Sequence, residues 1–383
     1  MSIMPNGSAG LNGGDTLVFE RPLAKLERQI EELESNQATS GRDHSAMIRT
    51  VRSELLAARR KLYTRLDAWE TVQMARHPKR PLVPDYLDMM VRDFCELHGD
   101  RSYRDDRAIL TGFGRIGNFK CMFVGHSKGK DTKERLENCF GMAHPEGYRK
   151  ALAKMKLAEK FGVPIVCLID TAGAYPGIGA EERGIARAIA VNLFEMSRLR
   201  VPVLGVVIGE GGSGGALGIG VGDRIALMEH AYYSVISPEG CAAILWKTGE
   251  RAPDAAKALK FTAKDLKKLG LIDEIIKEPL GGAHRDPTAA AANVEKFIVD
   301  TLRELRRCKP DTLLKRRYKR LREIGAFYTD AAKSAPVKKS KSKAKAAKDN
   351  GSTAKTSKEN GSRAKASKGS GPAAKVTATR SRG

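Results

Sequence analysis

The sequence predicts an α/β protein with a central sheet buried on both faces. One pattern occurs twice: "VPIVCLID" leads into "TAGAYPGIGAEERG" (163–184), and "VPVLGVVI" leads into "GEGGSGGALGIGVGD" (201–223). Each copy is Val-Pro, a continuous apolar run, a glycine-rich turn and the start of a helix. Apolar runs without polar alternation suit strands covered by helices on both sides. Long amphipathic segments with apolar residues at helical spacing flank both copies.

Taken in order, residues 1–20 are rich in Gly, Asn and Ser and read as a loose N-terminus. They lack the basic and apolar regions of a signal peptide. From Pro22, the residues Leu23, Leu26, Ile30 and Leu33 make one helical stripe. After the polar break "NQATSGRD", a second long helix is predicted to about His77, with Met47, Val51, Leu55, Leu62, Leu66 and Trp69 on one face. The pair reads as a helical hairpin over 21–80, packed on the body or serving assembly. "RHPKRPLVPDY" (76–86) breaks the helix and opens a domain over 81–330. Two strands flank Gly117-Asn118, a hairpin turn pair. The next helix turns Tyr148, Leu152, Met155 and Ala158 inward, and the helix after the first glycine turn does so with Ile185, Ile189, Leu193 and Met196. "RIALME" and "YYSVIS" supply further strands, and from about residue 253 the chain is mainly helical to about 327.

Charge separates the end of the chain from the rest. The 383 residues carry a net charge of +23, and residues 331–383 hold 15 Lys or Arg against two acids, Asp349 and Glu359. That Lys/Ala/Ser-rich tail has no aromatic residue and cannot form a core, so it reads as disordered. Its charge supports weak, salt-sensitive binding of polyanions such as nucleic acid. The six cysteines are scattered without CxxC or zinc spacing, so no metal is expected. Reduced core cysteines fit a cytoplasmic protein. No apolar run approaches the ~20 residues of a membrane helix.

The second glycine turn holds eight glycines between Gly209 and Gly222. Four readings compete. A flexible linker does not fit the apolar strands that flank it closely. A phosphate loop of Walker type needs Gly-Lys-Ser/Thr where this turn has Gly-Gly-Ala. Gly209-x-Gly211-x-x-Gly214 matches a dinucleotide fingerprint, with Glu229 placed to meet a ribose, but the helix that follows has room for little more than two turns. The fourth reading is an oxyanion hole: glycines let backbone N–H groups converge on an oxygen that gains charge. The same logic extends to Gly173 and Ala174 in the first turn.

Six ordered motifs then carry a family resemblance: "GHSKG" (125–129), "HPEGYRKAL" (144–152), "IDTAGAYPGIGAEERG" (169–184), "VIGEGGSGGALGIGVGD" (207–223), "YSVISPEGCAAILWK" (233–247) and "PLGGAHRDP" (279–287). From about residue 17 to 327 the chain resembles the α subunits of bacterial-type acetyl-CoA carboxylase carboxyltransferases. The resemblance implies a crotonase-like (ClpP/crotonase) fold of repeated ββα units. It implies transfer of a carboxyl group from carboxybiotin to acetyl-CoA, giving malonyl-CoA for fatty acid synthesis. The implied partners are a biotin carboxyl carrier protein, biotin carboxylase and a β subunit that carries a zinc ribbon and much of the CoA site. By the same resemblance, the backbones of Gly214 and Gly215 form the oxyanion hole for the biotin ureido oxygen. Gly211, Gly212, Gly173, Ala174, Tyr175 and Gly177 contact substrate, and the biotin anion is the base. Two positions depart from the family pattern: Ala172 stands where proline is usual, and Ala143-His144 where proline is common. Lys128, Lys130, Arg149 and Arg183 are candidates for CoA phosphates or the carboxylate. A self-sufficient acyl-CoA hydratase or hydrolase is the competing enzyme class, with Glu210 and Glu239 as its nearest carboxylates.

Overall fold

The computed structural model describes residues 16–325. Of the segment 1–20 expected to be loose, residues 1–15 lie outside the described residues, as does the basic tail, while Val18–Glu20 form a 3-10 turn with Leu17 and Glu20 buried. Helices α1 (Arg21–Ser40) and α2 (Ser45–Tyr63) form the expected hairpin. They run antiparallel, because Glu34 pairs with Arg52 at the turn end and Glu27 with Arg59 at the other. Leu23, Ile30, Val51 and Leu55 are buried between them with Leu17, Tyr63 and Met74. Two details differ from expectation. Ile48 faces this core, while Met47 is 53% exposed. The second helix also stops at Tyr63 and restarts as α3 (Ala68–Ala75). The Asp67 carboxylate accepts from the Glu70 amide (2.7 Å), and the Glu70 carboxylate accepts from the Asp67 amide (2.9 Å). This reciprocal capping box begins a new helix where one long helix was expected.

The hairpin docks on the motif at 279–287. Arg285 reaches Glu27 at 2.8 Å, and the rings of His77 and His284 stack 3.8 Å apart. The Glu20 carboxylate, buried beside them, accepts from the Tyr63 hydroxyl and the Leu17 amide. Helix α4 (Val83–Met90) then leads into the sheet.

Eight strands form one mixed sheet: β1 (Arg92–Glu96), β2 (Ile109–Ile116), β3 (Phe119–His126), β4 (Ile165–Thr171), β5 (Val203–Gly212), β6 (Arg224–Met228), β7 (Tyr232–Ser234) and β8 (Glu274–Ile276). Their order is β1-β2-β3-β4-β5-β6-β8, with β7 also on β5. The pairings β1/β2 and β2/β3 are antiparallel and the others are parallel. Every residue of β4 and β5 is buried, as their unbroken apolar runs require. Short β1 and β8 were not expected. β1 is a largely exposed edge strand without apolar alternation, and β8 has three residues.

The covering helices are α5 (Thr132–Glu137), α6 (Pro145–Lys160), α7 (Ile178–Glu182), α8 (Ile185–Arg198), α9 (Ser213–Leu217) and α10 (Pro238–Trp246). They continue with α11 (Ala252–Leu259), α12 (Ala263–Leu269), α13 (Pro287–Leu305) and α14 (Pro310–Glu323). A ββα unit is explicit in β2–β3–α6, and β4 and β5 add in parallel, each followed by helices. Arg317 pins α14 to the sheet: its fully buried guanidinium pairs with Asp223 at 2.6 Å and donates to the carbonyls of Met196, Leu199 and Val201. No helix among the described residues is long and apolar enough to cross a membrane.

Candidate functional site

The two glycine turns meet at the C-terminal ends of β4 and β5. Residues 165–169 of β4 pair in register with 203–207 of β5, and then Thr171 pairs with Gly211. Residues 208–210 therefore bulge against Asp170 alone. A Cβ on Gly209 would lie 2.6 Å from an Asp170 carboxylate oxygen, so this glycine makes room for a buried charge. Beyond the bulge, β5 leaves β6 and pairs with β7 through residues 210–212.

The turns touch backbone to backbone. A Cβ on Gly212 would lie 2.0 Å from the Ala172 carbonyl oxygen, and one on Gly215 would lie 2.3 Å from the Gly173 carbonyl carbon. Neither position tolerates a side chain without moving main chain. Gly214 differs: its nearest obstacle would be Ile189 Cδ1 at 3.6 Å, and it is half-buried. Gly173 has nothing within 4 Å of that position. Glycines that pack the turns together thus adjoin glycines that leave open space.

Helix α9 starts on Ser213, whose φ of +49° is left-handed and uncommon for a residue with a side chain. The N-cap, Gly212, offers no side-chain acceptor. The first amides of a helix have no partner within it, so Ser213, Gly214 and Gly215 present N–H groups that the helix does not use. Carbonyls on the other side of α9 are held: the Tyr148 hydroxyl donates to Gly215 at 3.3 Å, and Asn192 Nδ2 donates to Gly218 at 2.9 Å and to Tyr148 at 3.0 Å. His126 lies fully buried beside the backbone of Gly215, and its ring nitrogens make no hydrogen bond of good geometry. Burial, aided by Lys128, pushes it down to about 3, so it is neutral near pH 7.

The other expected contact residues take distinct positions. Gly211 and Gly212 are buried in β5; Gly211 backs onto Tyr233, and a Cβ there would lie 2.8 Å from its ring. Gly173 and Ala174 open the first turn, where the Thr171 hydroxyl lies 2.7 Å from the carbonyls of both Gly141 and Gly173 and shares its one proton between them. The Tyr175 ring stacks on His144 at 4.1 Å and closes over Gly177. His144 is the N-cap residue of α6, and its amide donates to Asp106 at 2.7 Å.

Beneath the second turn lies a buried charge network. Glu210 accepts from Arg76 Nε (2.6 Å), the Tyr232 hydroxyl (2.6 Å) and Lys128 Nζ (2.6 Å). Lys128 also reaches Asp170 at 2.7 Å, and Asp170 accepts from the Glu210 amide at 2.9 Å. Arg76 forks further to Glu239 on α10, at 2.5 Å. Burial alone would raise the Glu210 carboxyl, but Lys128 and Arg76 overcome it and hold it far below the usual carboxylate range. Glu210 is therefore ionised, saturated with donors and poorly suited to take a proton.

Sequence reasoning missed this network, although a signal was present: Asp170 and Glu210 are the charged residues at the ends of two apolar strands, and a buried charge needs a partner. Asn192, which falls among the inward positions of α8, carried the same signal. The four basic residues considered for CoA phosphates each have a carboxylate partner. Lys128 has Asp170 and Glu210, Lys130 has Asp85, Arg149 has Asp100, and Arg183 has Glu146. Helix α9 has five residues, too short for the helix of a dinucleotide fold.

Residues 16–325 match the family described as acetyl co-enzyme A carboxylase carboxyltransferase-like. A relative from Rhodopirellula baltica, called acetyl-coenzyme A carboxylase carboxyl transferase subunit alpha, is 54% identical over 318 residues, which is 83% of this chain and 99% of that one. A relative of the same name from Chromobacterium violaceum is 52% identical over 316 residues, covering 82% of this chain and 98% of the other. Among solved structures, transcarboxylase 12S is similar over 59% of this chain and 42% of its own, at 19% identity and a TM-score of 0.48.

Proposed function

The chain belongs to the acetyl-CoA carboxylase carboxyltransferase-like family, and from that premise we propose how its glycine turns serve carboxyl transfer. The activity is that of the carboxyltransferase α subunit, which passes a carboxyl group from carboxybiotin to acetyl-CoA to give malonyl-CoA. The observation that carries the site is the pairing of Gly214 and Gly215: one is open to an approaching atom, the other locked against Gly173, and the amides of both lack a helical acceptor.

An oxygen that gains negative charge fits this cradle, since it needs donors and no side chain in the way. When bound, carrier-linked carboxybiotin supplies the carboxyl group and the base for the acetyl-CoA methyl proton. The amides of Gly214 and Gly215 hold the ureido oxygen. Gly215, wedged against the first turn, fixes where its own amide points. The left-handed Ser213 turns the chain so that consecutive N–H groups face one side. Gly173, Ala174, Tyr175 and Gly177 line the first turn beside the cradle, and Gly211 and Gly212 set the depth at which it sits. No side chain of this chain is required as the base, in keeping with the saturated Glu210.

The site is completed by a second polypeptide. Val191 and Phe194 on α8, Leu217 on α9, and Ile244 and Leu245 on α10 are exposed large apolar residues on helices around the turns. Exposed apolar groups gathered near a site mark a docking face. We assign it to a carboxyltransferase β subunit, with the biotin carrier protein and biotin carboxylase as the further partners. The test is co-purification with the β subunit, followed by transfer from carboxybiotin to acetyl-CoA. The purified chain alone should be inactive and the pair should make malonyl-CoA. Turnover of an enoyl-CoA by the isolated chain would favour the hydratase class instead.

A further inference from the structure

The charge network under the second turn invites a role beyond packing. Glu210 is the residue immediately before Gly211 in the β5 bulge, so wherever its carboxylate is held, the glycine turn begins. Three donors from three separate elements hold it: Lys128 after β3, Arg76 after α3 and Tyr232 on β7. Its amide is fixed as well, by Asp170 at the end of β4. Both ends of one residue are thereby tied to the strands that carry the two turns. Arg76 adds a tie to Glu239, whose helix α10 exposes Ile244 and Leu245.

We propose that Glu210, clamped between Lys128 and Arg76, is a positioning residue that sets the Gly214–Gly215 amides for the transfer reaction. The inference rests on the oxyanion reading of those amides. It assigns no contact with substrate and no proton transfer to Glu210. The clamp works as a unit in which two cations, Arg76 and Lys128, are shared among three carboxylates, Asp170, Glu210 and Glu239. Removing one member strands the others in a buried setting, whereas removing an opposite pair leaves the net charge of the cluster as it was. A turn displaced by about 1 Å loses about 10²-fold in rate.

This predicts a rescue pattern. Lys128→Met and Glu210→Gln should each lower kcat for malonyl-CoA formation about 10²-fold in the α/β complex, with KM for acetyl-CoA little changed. The double variant Lys128→Met/Glu210→Gln should recover about tenfold or more over the worse single variant, because the paired neutral groups no longer pull on the turn. The pH profile of kcat in Glu210→Gln should keep the same limbs as wild type. Melting temperatures of the complexes, measured alongside, separate unfolding from misplacement. The proposal is overturned if the double variant is no better than the single variants, if KM rather than kcat carries the loss, or if a pH limb vanishes in Glu210→Gln. Absence of transfer by the wild-type complex would instead sink the carboxyltransferase reading, so the two failures are distinguishable.

Discussion

The two glycine turns arise from the same sequence pattern and are supported by different physics. The first, after β4, shares a single cation, Lys128, through Asp170, and beyond that residue is held by neutral hydrogen bonds at the Thr171 hydroxyl and by a Tyr175–His144 stack. The second, after β5, stands on buried ions, with Glu210 gripped by Arg76 and Lys128, and with Arg80 donating to the Ile208 carbonyl at 2.7 Å. The first turn can shift at modest cost. The second is fixed by charges that are expensive to separate in a dry setting. A site needing amides at fixed positions belongs on the second turn, with the first acting as its wall.

The sharpest way to break this contrast is Gly215→Ala, because the added methyl would lie 2.3 Å from main chain of the first turn. We expect a loss of about 3 kcal/mol or more in urea denaturation, with transfer abolished. Gly214→Ala, at the neighbouring residue of the same helix, should be neutral or slightly stabilising in that measurement. Equal losses at both positions would mean that the turns are not wedged as described.

The ionic root of the second turn should show in acid. Burial raises the Glu278 carboxyl, but Arg80, at 2.6 Å, together with His230 brings it down from 4.5 to about 2. A folded value below the unfolded one means that the stabilisation is complete above about pH 4.5 and is lost as pH falls toward 2. The contribution is on the order of 3 kcal/mol. Urea midpoints should fall more steeply with acid for wild type than for Glu278→Gln. Parallel slopes would remove Glu278 from the account.

A smaller effect is expected at the first turn. Thr171→Val keeps the shape but removes the hydroxyl that serves Gly141 and Gly173. It should cost about 1–3 kcal/mol in the same denaturation assay, because the two carbonyls lose the one proton they share and the Gly173 amide loses its acceptor. Transfer by the folded variant should fall less than for the variants of Lys128 and Glu210.

The contrast also explains what the sequence disclosed. The paired pattern, the two buried strands, the β2–β3 hairpin and the main helices follow from short-range periodicity and turn chemistry, which a sequence displays directly. The meeting of Gly173 with Gly215 was not read from the sequence, because it requires β4 and β5 to be neighbours and the repeated pattern does not state strand order. Nor was the clamp, because Arg76 and Lys128 lie 134 and 82 residues from Glu210, and Arg76 falls in a segment read only as a helix breaker. The capping box at Asp67 and Glu70 was local and readable, yet the apolar stripe through Leu62 and Leu66 drew one helix across it. Met47 and Ile48 were exchanged because a one-residue phase error rotates a helix face by about 100°.

The central claim is that the amides of Gly214 and Gly215 stabilise charge during transfer. The most direct measurement is malonyl-CoA formation by the α/β complex carrying Gly214→Val beside wild type, with melting temperatures taken on both. A Cβ at 214 would meet only Ile189 Cδ1, at an ordinary 3.6 Å, and no main chain, so stability should be retained while a bulky side chain beside the two amides lowers transfer about 10²–10³-fold. Transfer at the wild-type rate by a folded Gly214→Val complex would contradict the account.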